Sequence, residues 1–332
     1  MLLPGTLLET VVSLRYGVRM RPTPPAALLT AVLLLSACGG DGGSRASASD
    51  DGRLAVAAGF YPYEFVAERV GGEDVDVTNL TQPGGEPHDL ELTPQQVGAL
   101  ADTDLVVYSR GFQPAVDEAV EQQTPDRAFD VLSAVELRDA EEDGHEHGDE
   151  HEDEDEHAEE QGSADPHVWL DPLRLDRIGT ALADRLAEQD PAAAEGYRSR
   201  AAELTTELTA LDDELRAGLQ HCERRQIVTS HAAFGYLAEA YGLEQVAVAG
   251  LSPEDEASPG RLAEIATQAQ EDGVTTIFFE ELVSPKVAQS LAREVGATAT
   301  VLSPLEGAPD TGDYVSAMRE DLATLRTALD CT

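Results

Sequence analysis

The chain has 332 residues, of which 64 are Asp or Glu and 22 are Lys or Arg, giving a formal net charge of -42. So large a negative charge argues against nucleic acid, an anionic membrane face or an anionic ligand and favours a cationic ligand, although a solubility or salt adaptation of the host is the plainer reading. A hydrophobic fraction of 42% over this length is enough for two lobes with cores of their own.

In chain order, Arg19 and Arg21 precede an apolar run from Ala26 to Leu35, followed by Ser36-Ala37-Cys38. The run falls well short of the ~20 residues a helix needs to span a bilayer. Residues 1–37 therefore read as a secretory signal, and the small residues before Cys38 as a lipobox whose cysteine is lipidated and becomes the first mature residue. An ordinary cleaved signal with an incidental Cys38 is the alternative, and Met20 is an alternative start. Residues 38–52, rich in Gly, Ser, Ala and Asp, form a flexible tether. With Cys38 accounted for, Cys222 and Cys331 remain as a pair that an oxidising exterior can join; two buried free thiols are the other reading.

The N-terminal lobe spans 53–190. Leu54 to Phe60 is strand-like, Tyr61 to Val70 has helical spacing, and Val75 to Leu80 alternates as a half-buried strand that feeds a Gly-rich loop carrying His88. Thr93 caps a helix with Pro94 in its first turn, and Leu105 to Tyr108 is a third strand. Residues 139–164 are an acidic insertion with His145, His147, His151 and His157, too polar to build a core. From 191 to 220, Tyr197, Ala201, Leu204, Leu208, Leu211, Leu215 and Leu219 recur at intervals of three and four. That spacing predicts one long helix of about 45 Å, at ~1.5 Å per residue.

In the C-terminal lobe, 221–332, strands at 226–229, 245–248, 275–279 and 299–302 alternate with helices at 232–241, 259–271, 285–295 and 314–329. The alternation predicts an α/β fold of two lobes, each with a mainly parallel sheet flanked by helices, joined by one long rigid helix. Loops at the carboxyl edges of such sheets are the usual ligand sites.

Three histidines stand at such places or in pinned loops. His88 lies in Gly84-Gly85-Glu86-Pro87-His88-Asp89, His167 in Asp165-Pro166-His167-Val168-Trp169-Leu170-Asp171-Pro172, and His231 in Ser230-His231-Ala232-Ala233-Phe234-Gly235-Tyr236. Singly each reads as a structural histidine, but together they describe a transition-metal site, and imidazole nitrogens suit zinc.

The same three motifs, with Leu92-Thr93-Pro94-Gln95 after the first and with Phe279-Glu280 and Ser284-Pro285-Lys286 near the end, carry a resemblance. From Leu54 to the C-terminus the chain resembles the zinc/manganese substrate-binding lipoproteins of bacterial ABC importers, the ZnuA-like and adhesin-like family. The resemblance implies a periplasmic-binding-protein-like fold with a helical backbone and no enzymatic activity. It implies a monomer, anchored by lipid to the outer face of the cell membrane, that captures Zn²⁺ between its lobes and delivers it to an ABC permease with its own ATPase. His88, His167 and His231 then hold the metal. Manganese-selective relatives carry a carboxylate at the third place, so His231 favours zinc. The family's usual fourth ligand is an aspartate after the last strand, where this chain has Ser303, a poor zinc ligand. The fourth position then falls to a water, Glu86 or Glu280, and Glu280 can equally orient one of the histidines. The acidic insertion resembles the family's His-rich loop, which would collect zinc weakly. A manganese receptor is the nearest alternative. A zinc hydrolase or lyase is a further one, opposed by the lack of a His-Glu-x-x-His helix and of an obvious general base beside the metal, while the lack of a P-loop leaves ATP hydrolysis to a partner.

Overall fold

β1 (Leu54–Ala58), α1 (Tyr61–Gly71), β2 (Val75–Asn79), α2 (Pro94–Leu100), β3 (Leu105–Tyr108), α3 (Pro114–Gln123) and β4 (Ala128–Asp130) build the first lobe. All four strands are parallel, in the order β2-β1-β3-β4. β3 is an inner strand buried along its whole length, which is why it reads Leu-Val-Val-Tyr, whereas β2 at the edge alternates. This computed structural model describes residues 52–138, 164–255 and 257–332. The signal, Cys38, the tether up to residue 51, and His145, His147, His151 and His157 lie outside the described residues. Among the described residues no helix is long and apolar enough to cross a membrane.

Two of these elements are not in the sequence reading. α3 opens on Pro114 and buries Val116, Ala119 and Val120, a short stripe behind a proline start. β4 has three residues, too few to show a period.

Two helices link the lobes. The long helix expected over 191–220 is α5 (Ala194–Leu219), and it packs against α4 (Pro172–Gln189) across a four-residue connection, 190–193. α4 starts where the Asp171 side chain accepts from the backbone N–H of Leu173, with Pro172 next, and it buries Leu175, Ile178, Leu182 and Leu186. Gly179 is where the pair meets closely, since a Cβ there would lie 3.1 Å from Leu204 Cδ2. The stiff connector is thus a helical hairpin.

The second lobe runs through β5 (Gln226–Thr229), α6 (Gly235–Tyr241), β6 (Glu244–Ala247), α7 (Pro259–Glu271), β7 (Thr276–Phe279), α8 (Lys286–Val295), β8 (Thr298–Val301) and α9 (Tyr314–Leu329). Its sheet repeats the topology of the first, parallel throughout in the order β6-β5-β7-β8.

One apolar cluster is continuous through both lobes. It includes Val56 and Phe60, then Ile178, Leu182, Leu204 and Leu211 of the hairpin, then Phe234, Leu302 and Leu325. Burying one such leucine or phenylalanine is worth about 1.5–3 kcal/mol. A wide hinge opening would expose many of them, so the lobes are limited to small relative movements. Cys222 and Cys331 form a disulfide, 109 residues apart, that ties the chain end after α9 to the end of α5. Closing a loop of that length stabilises by up to about 5 kcal/mol in the chain-entropy model. Urea unfolding of the Cys222→Ser/Cys331→Ser protein is expected to show a loss of several kcal/mol, and a loss below about 1 kcal/mol would contradict a structural role.

Candidate metal centre

Parallel strands place the loops that follow them on one edge, and four potential donors stand on such loops. His88 lies between β2 and α2, His231 two residues past β5, Glu280 directly after β7, and Glu306 in the segment after β8. His167 comes from the crossing between lobes, immediately before the single turn Val168–Leu170 that leads into α4.

Three of these and His167 form one group. His88, His167, His231 and Glu306 offer donor atoms that all lie within 4.8 Å of one another. Glu306 Oε1 is 3.5 Å from His88 Nε2, 3.7 Å from His167 Nε2 and 3.5 Å from His231 Nε2, and the last two nitrogens are 3.3 Å apart. Four ligands at about 2.0–2.1 Å around a tetrahedral zinc would be separated by about 3.3–3.4 Å. The observed separations lie at that edge length or slightly beyond it. His167 and His231 are fully buried and Glu306 is 2% exposed. Glu306 Oε1 and His88 Nε2 nevertheless have no hydrogen-bond partner. Buried polar atoms left unpaired cost about 1–3 kcal/mol each, so two that converge on one point call for a cation there.

Each imidazole is aimed by its other side. His167 Nδ1 donates to Asp165 Oδ1 at 2.8 Å, and the Asp165 carboxylate is held by Arg138 at 3.3 Å. His231 Nδ1 donates to Glu280 Oε1 at 2.7 Å, and the Ser230 hydroxyl donates to the same oxygen. Both contacts occupy Nδ1 with a proton and so make Nε2, turned toward the centre, the nitrogen that can bind a metal. His88 packs edge-on to Phe112, ring centroids 4.3 Å apart. Its loop is held by Gln113, whose Nε2 donates to Pro87 O at 3.2 Å and to Thr81 Oγ1 at 3.0 Å. Gly59 is needed beneath that glutamine, since a Cβ would sit 2.5 Å from Gln113 Oε1.

The electrostatics of the group also ask for positive charge. Burial opposes a charge on His231, yet the Glu280 and Glu306 carboxylates outweigh it and push its pKa up to about 10. Burial likewise works to raise Glu306, but the imidazoles of His231 and His88 hold it well below the usual carboxylate range. His167 goes the other way, lowered chiefly by burial despite Asp165.

The structure places the expected fourth-ligand candidates elsewhere. Glu86 Oε2 accepts from the backbone N–H of Asp89 at 3.0 Å, and Glu86 is outside the four-donor group. Glu280 stands behind His231 as its orienting partner. The Ser303 hydroxyl accepts from the backbone N–H of Leu305 at 3.3 Å and so faces its own loop. Glu306, absent from the sequence reading, occupies the fourth corner. It follows Leu305, whose φ of 57° is left-handed, a conformation costing a non-glycine residue roughly 1–2 kcal/mol. That bend turns the next side chain into the cleft. The available signal was only its place after the last strand.

A cleft of about 730 Å³ opens beside His88, lined among others by Asp89, Asp130, Leu137, Ala164 and Asp255. The backbone N–H of Asp165 donates to Arg138 O at 3.3 Å, so the described residues on either side of 139–163 meet beside this mouth, which Leu137 and Ala164 line.

Known proteins agree with the geometry. The family described as zinc-uptake complex component A, periplasmic, matches residues 56–328. The high-affinity zinc uptake system protein ZnuA of Bacillus subtilis is 37% identical over 306 residues, covering 90% of this chain and 94% of that protein. The zinc-binding lipoprotein AdcA of Streptococcus pneumoniae serotype 4 is 34% identical over 300 residues, covering 84% of this chain but 56% of AdcA. Among solved structures, the laminin-binding protein Lmb of Streptococcus agalactiae superposes with a TM-score of 0.72 at 29% identity, covering 83% of this chain and 99% of that one. The Zn(II)-bound ZnuA-like domain of Streptococcus pneumoniae AdcA gives 0.68 at 30% identity, covering 84% and 100%. The chain therefore belongs to the family of periplasmic zinc-uptake component A proteins.

Proposed function

We propose that the protein is a non-catalytic, extracytoplasmic receptor that captures one Zn²⁺ ion between its lobes and delivers it to an ABC permease driven by a separate ATPase. The observation that carries this reading is the largely buried group of His88, His167, His231 and Glu306, whose donors all lie within 4.8 Å of one another, with Glu306 Oε1 3.5–3.7 Å from each imidazole and two buried donor atoms unpaired. Three nitrogens and one oxygen suit zinc better than manganese, which favours oxygen donors. Four protein donors also fill a tetrahedral ion, whereas a hydrolytic zinc keeps a position for water. The relatives' zinc-uptake names and the lipoprotein name of AdcA support the same role, with Cys38 as the anchor that tethers the chain outside the membrane. His145, His147, His151 and His157 are in this reading a weak collecting tract, and the position of the flanking Leu137 and Ala164 on the cleft wall supports delivery into the site.

Titration of metal-stripped protein with Zn²⁺ and with Mn²⁺ tests the reading, with one tight, turnover-free zinc site expected and manganese binding far more weakly. Tighter manganese binding or metal-dependent ester or peptide turnover would overturn it. The pH dependence has a definite sign. With a pKa of about 10, above the ordinary 6.5, His231 carries a proton at neutral pH that zinc must displace. Affinity is therefore expected to rise about tenfold per pH unit as the pH climbs through the neutral range toward about 10. Calorimetry at pH 7.5 in buffers of different ionisation enthalpy is expected to show about one proton released per zinc.

A further inference from the structure

Glu306 reaches the three imidazoles from a segment without regular structure, 302–307, so the aim of its carboxylate depends on how the backbone before it is held. Four contacts pin that backbone. Leu302 N donates to Phe279 O at 3.0 Å, Ser303 N to Asp321 Oδ1 at 3.0 Å, Leu305 N to Ser303 Oγ at 3.3 Å, and Trp169 Nε1 to Pro304 O at 2.7 Å. The left-handed Leu305 then turns the chain so that Glu306 faces inward.

Asp321 is the unusual member. It lies on α9 at 5% exposure, and its Oδ2 is buried without a hydrogen-bond partner. A buried carboxyl is costly unless it is used, and here one oxygen meets only the Ser303 N–H. It also lines a cavity of about 530 Å³ behind Glu306, beside Glu281, Asp310 and Glu320, with no lysine or arginine among the lining residues.

We propose that Asp321 is a positioning residue for the metal centre: by accepting from Ser303 N–H it holds the 303–306 segment in the bend that lets Glu306 close the fourth corner. The proposal rests on Glu306 being a ligand, as argued above. Burial, with Glu281 and Glu320 nearby, pushes the Asp321 acid well above its usual range. The one bond Asp321 makes needs only an oxygen acceptor at Oδ1, and the carbonyl oxygen of an amide can supply it.

The test compares Asp321→Asn, Asp321→Ala, Asp321→Leu, Glu306→Ala and the double variant Asp321→Ala/Glu306→Ala in the full chain. Zinc release into excess chelator and the visible absorption of the Co²⁺-loaded protein are the readouts. Asp321→Ala and Asp321→Leu are expected to release zinc at least about tenfold faster, in the range seen when a ligand's supporting partner is lost. Asp321→Asn is expected to stay close to the unmodified protein. The cobalt bands of Asp321→Ala are expected to move toward those of Glu306→Ala, a shift that loosened packing alone would not produce. In the Glu306→Ala background the change at 321 is expected to add nothing. Unchanged release and cobalt spectra in Asp321→Ala, an equal effect with and without Glu306, or an Asp321→Asn protein as impaired as the alanine would each overturn the proposal. Asp321→Leu fills the site without an acceptor and carries the test if the alanine does not fold. Unaltered release in Glu306→Ala alone would instead remove the ligand assignment, and that is read with position 321 intact.

Discussion

Replacing Glu306 with alanine is expected to weaken zinc binding by about 100- to 1,000-fold. Four-ligand zinc sites hold the ion by about 10–16 kcal/mol at neutral pH, so one corner is worth roughly 2.5–4 kcal/mol. The Glu306 carboxylate is also the one anionic corner, facing three imidazole nitrogens at 3.5, 3.7 and 3.5 Å in a buried cage. Glu86→Ala is expected to cost far less, because that side chain braces the Asp89 N–H in the His88 loop and is not part of the donor group. Glu280→Ala should fall between them, about 10- to 100-fold, since it frees His231 to rotate without removing a ligand. Competition against a chelator of known affinity ranks the three. If Glu86→Ala proves the most damaging and Glu306→Ala nearly silent, the fourth corner has been misassigned.

The second large effect concerns stability. Trp169→Ala is expected to cost about 3–5 kcal/mol, a large share of the roughly 5–15 kcal/mol by which folded proteins are stable. The ring is fully buried, with centroids 4.7 Å from Phe60, 5.2 Å from Phe112 and 5.1 Å from His167. Its indole N–H reaches Pro304 O at 2.7 Å, and its own carbonyl accepts from the Tyr314 hydroxyl at 2.6 Å. One residue of the crossing between lobes is thus tied to the segment that carries Glu306 and to the start of α9. Trp169→Phe keeps most of the packing and is expected to lose about 1–3 kcal/mol, the penalty of a buried carbonyl left unpaired. Urea unfolding followed by circular dichroism is the appropriate measurement, because the substitution removes the chain's single tryptophan. The continuous core predicts one transition, and a loss below about 1 kcal/mol for the alanine would contradict the packing described.

The secondary structure was legible wherever local chemistry closes an element at both ends. α7 at Pro259–Glu271 and α9 at Tyr314–Leu329 fall on their predicted bounds, because Ser258 and Asp313 accept from backbone N–H groups three residues on. α4 was missed although Asp171 and Pro172 open it and a clear apolar stripe follows. The same Asp-Pro pair completes the motif around His167, and a stripe does not say whether a sheet or another helix covers it.

At the site the division follows from how rare a residue type is. The chain has 8 histidines, and three of them stand in distinctive loops, so residue type with strand-end placement singled out His88 and His231, and residue type with the two-proline motif around it singled out His167. With 64 acidic residues, no glutamate is conspicuous by itself. Which carboxylate meets the imidazoles is decided by the reach of the loop after β8. That reach is set by a left-handed Leu305 and by contacts from Asp321, 18 residues away from Ser303, and from Trp169, 135 residues from Pro304. The sequence by itself determined the two α/β lobes and the imidazole chemistry, because both follow from local periodicity and side-chain type. Only the tertiary structure decided that Glu306 meets the three imidazoles, that Glu280 bonds to His231 and that the connector is a hairpin, because each depends on how separate elements pack together.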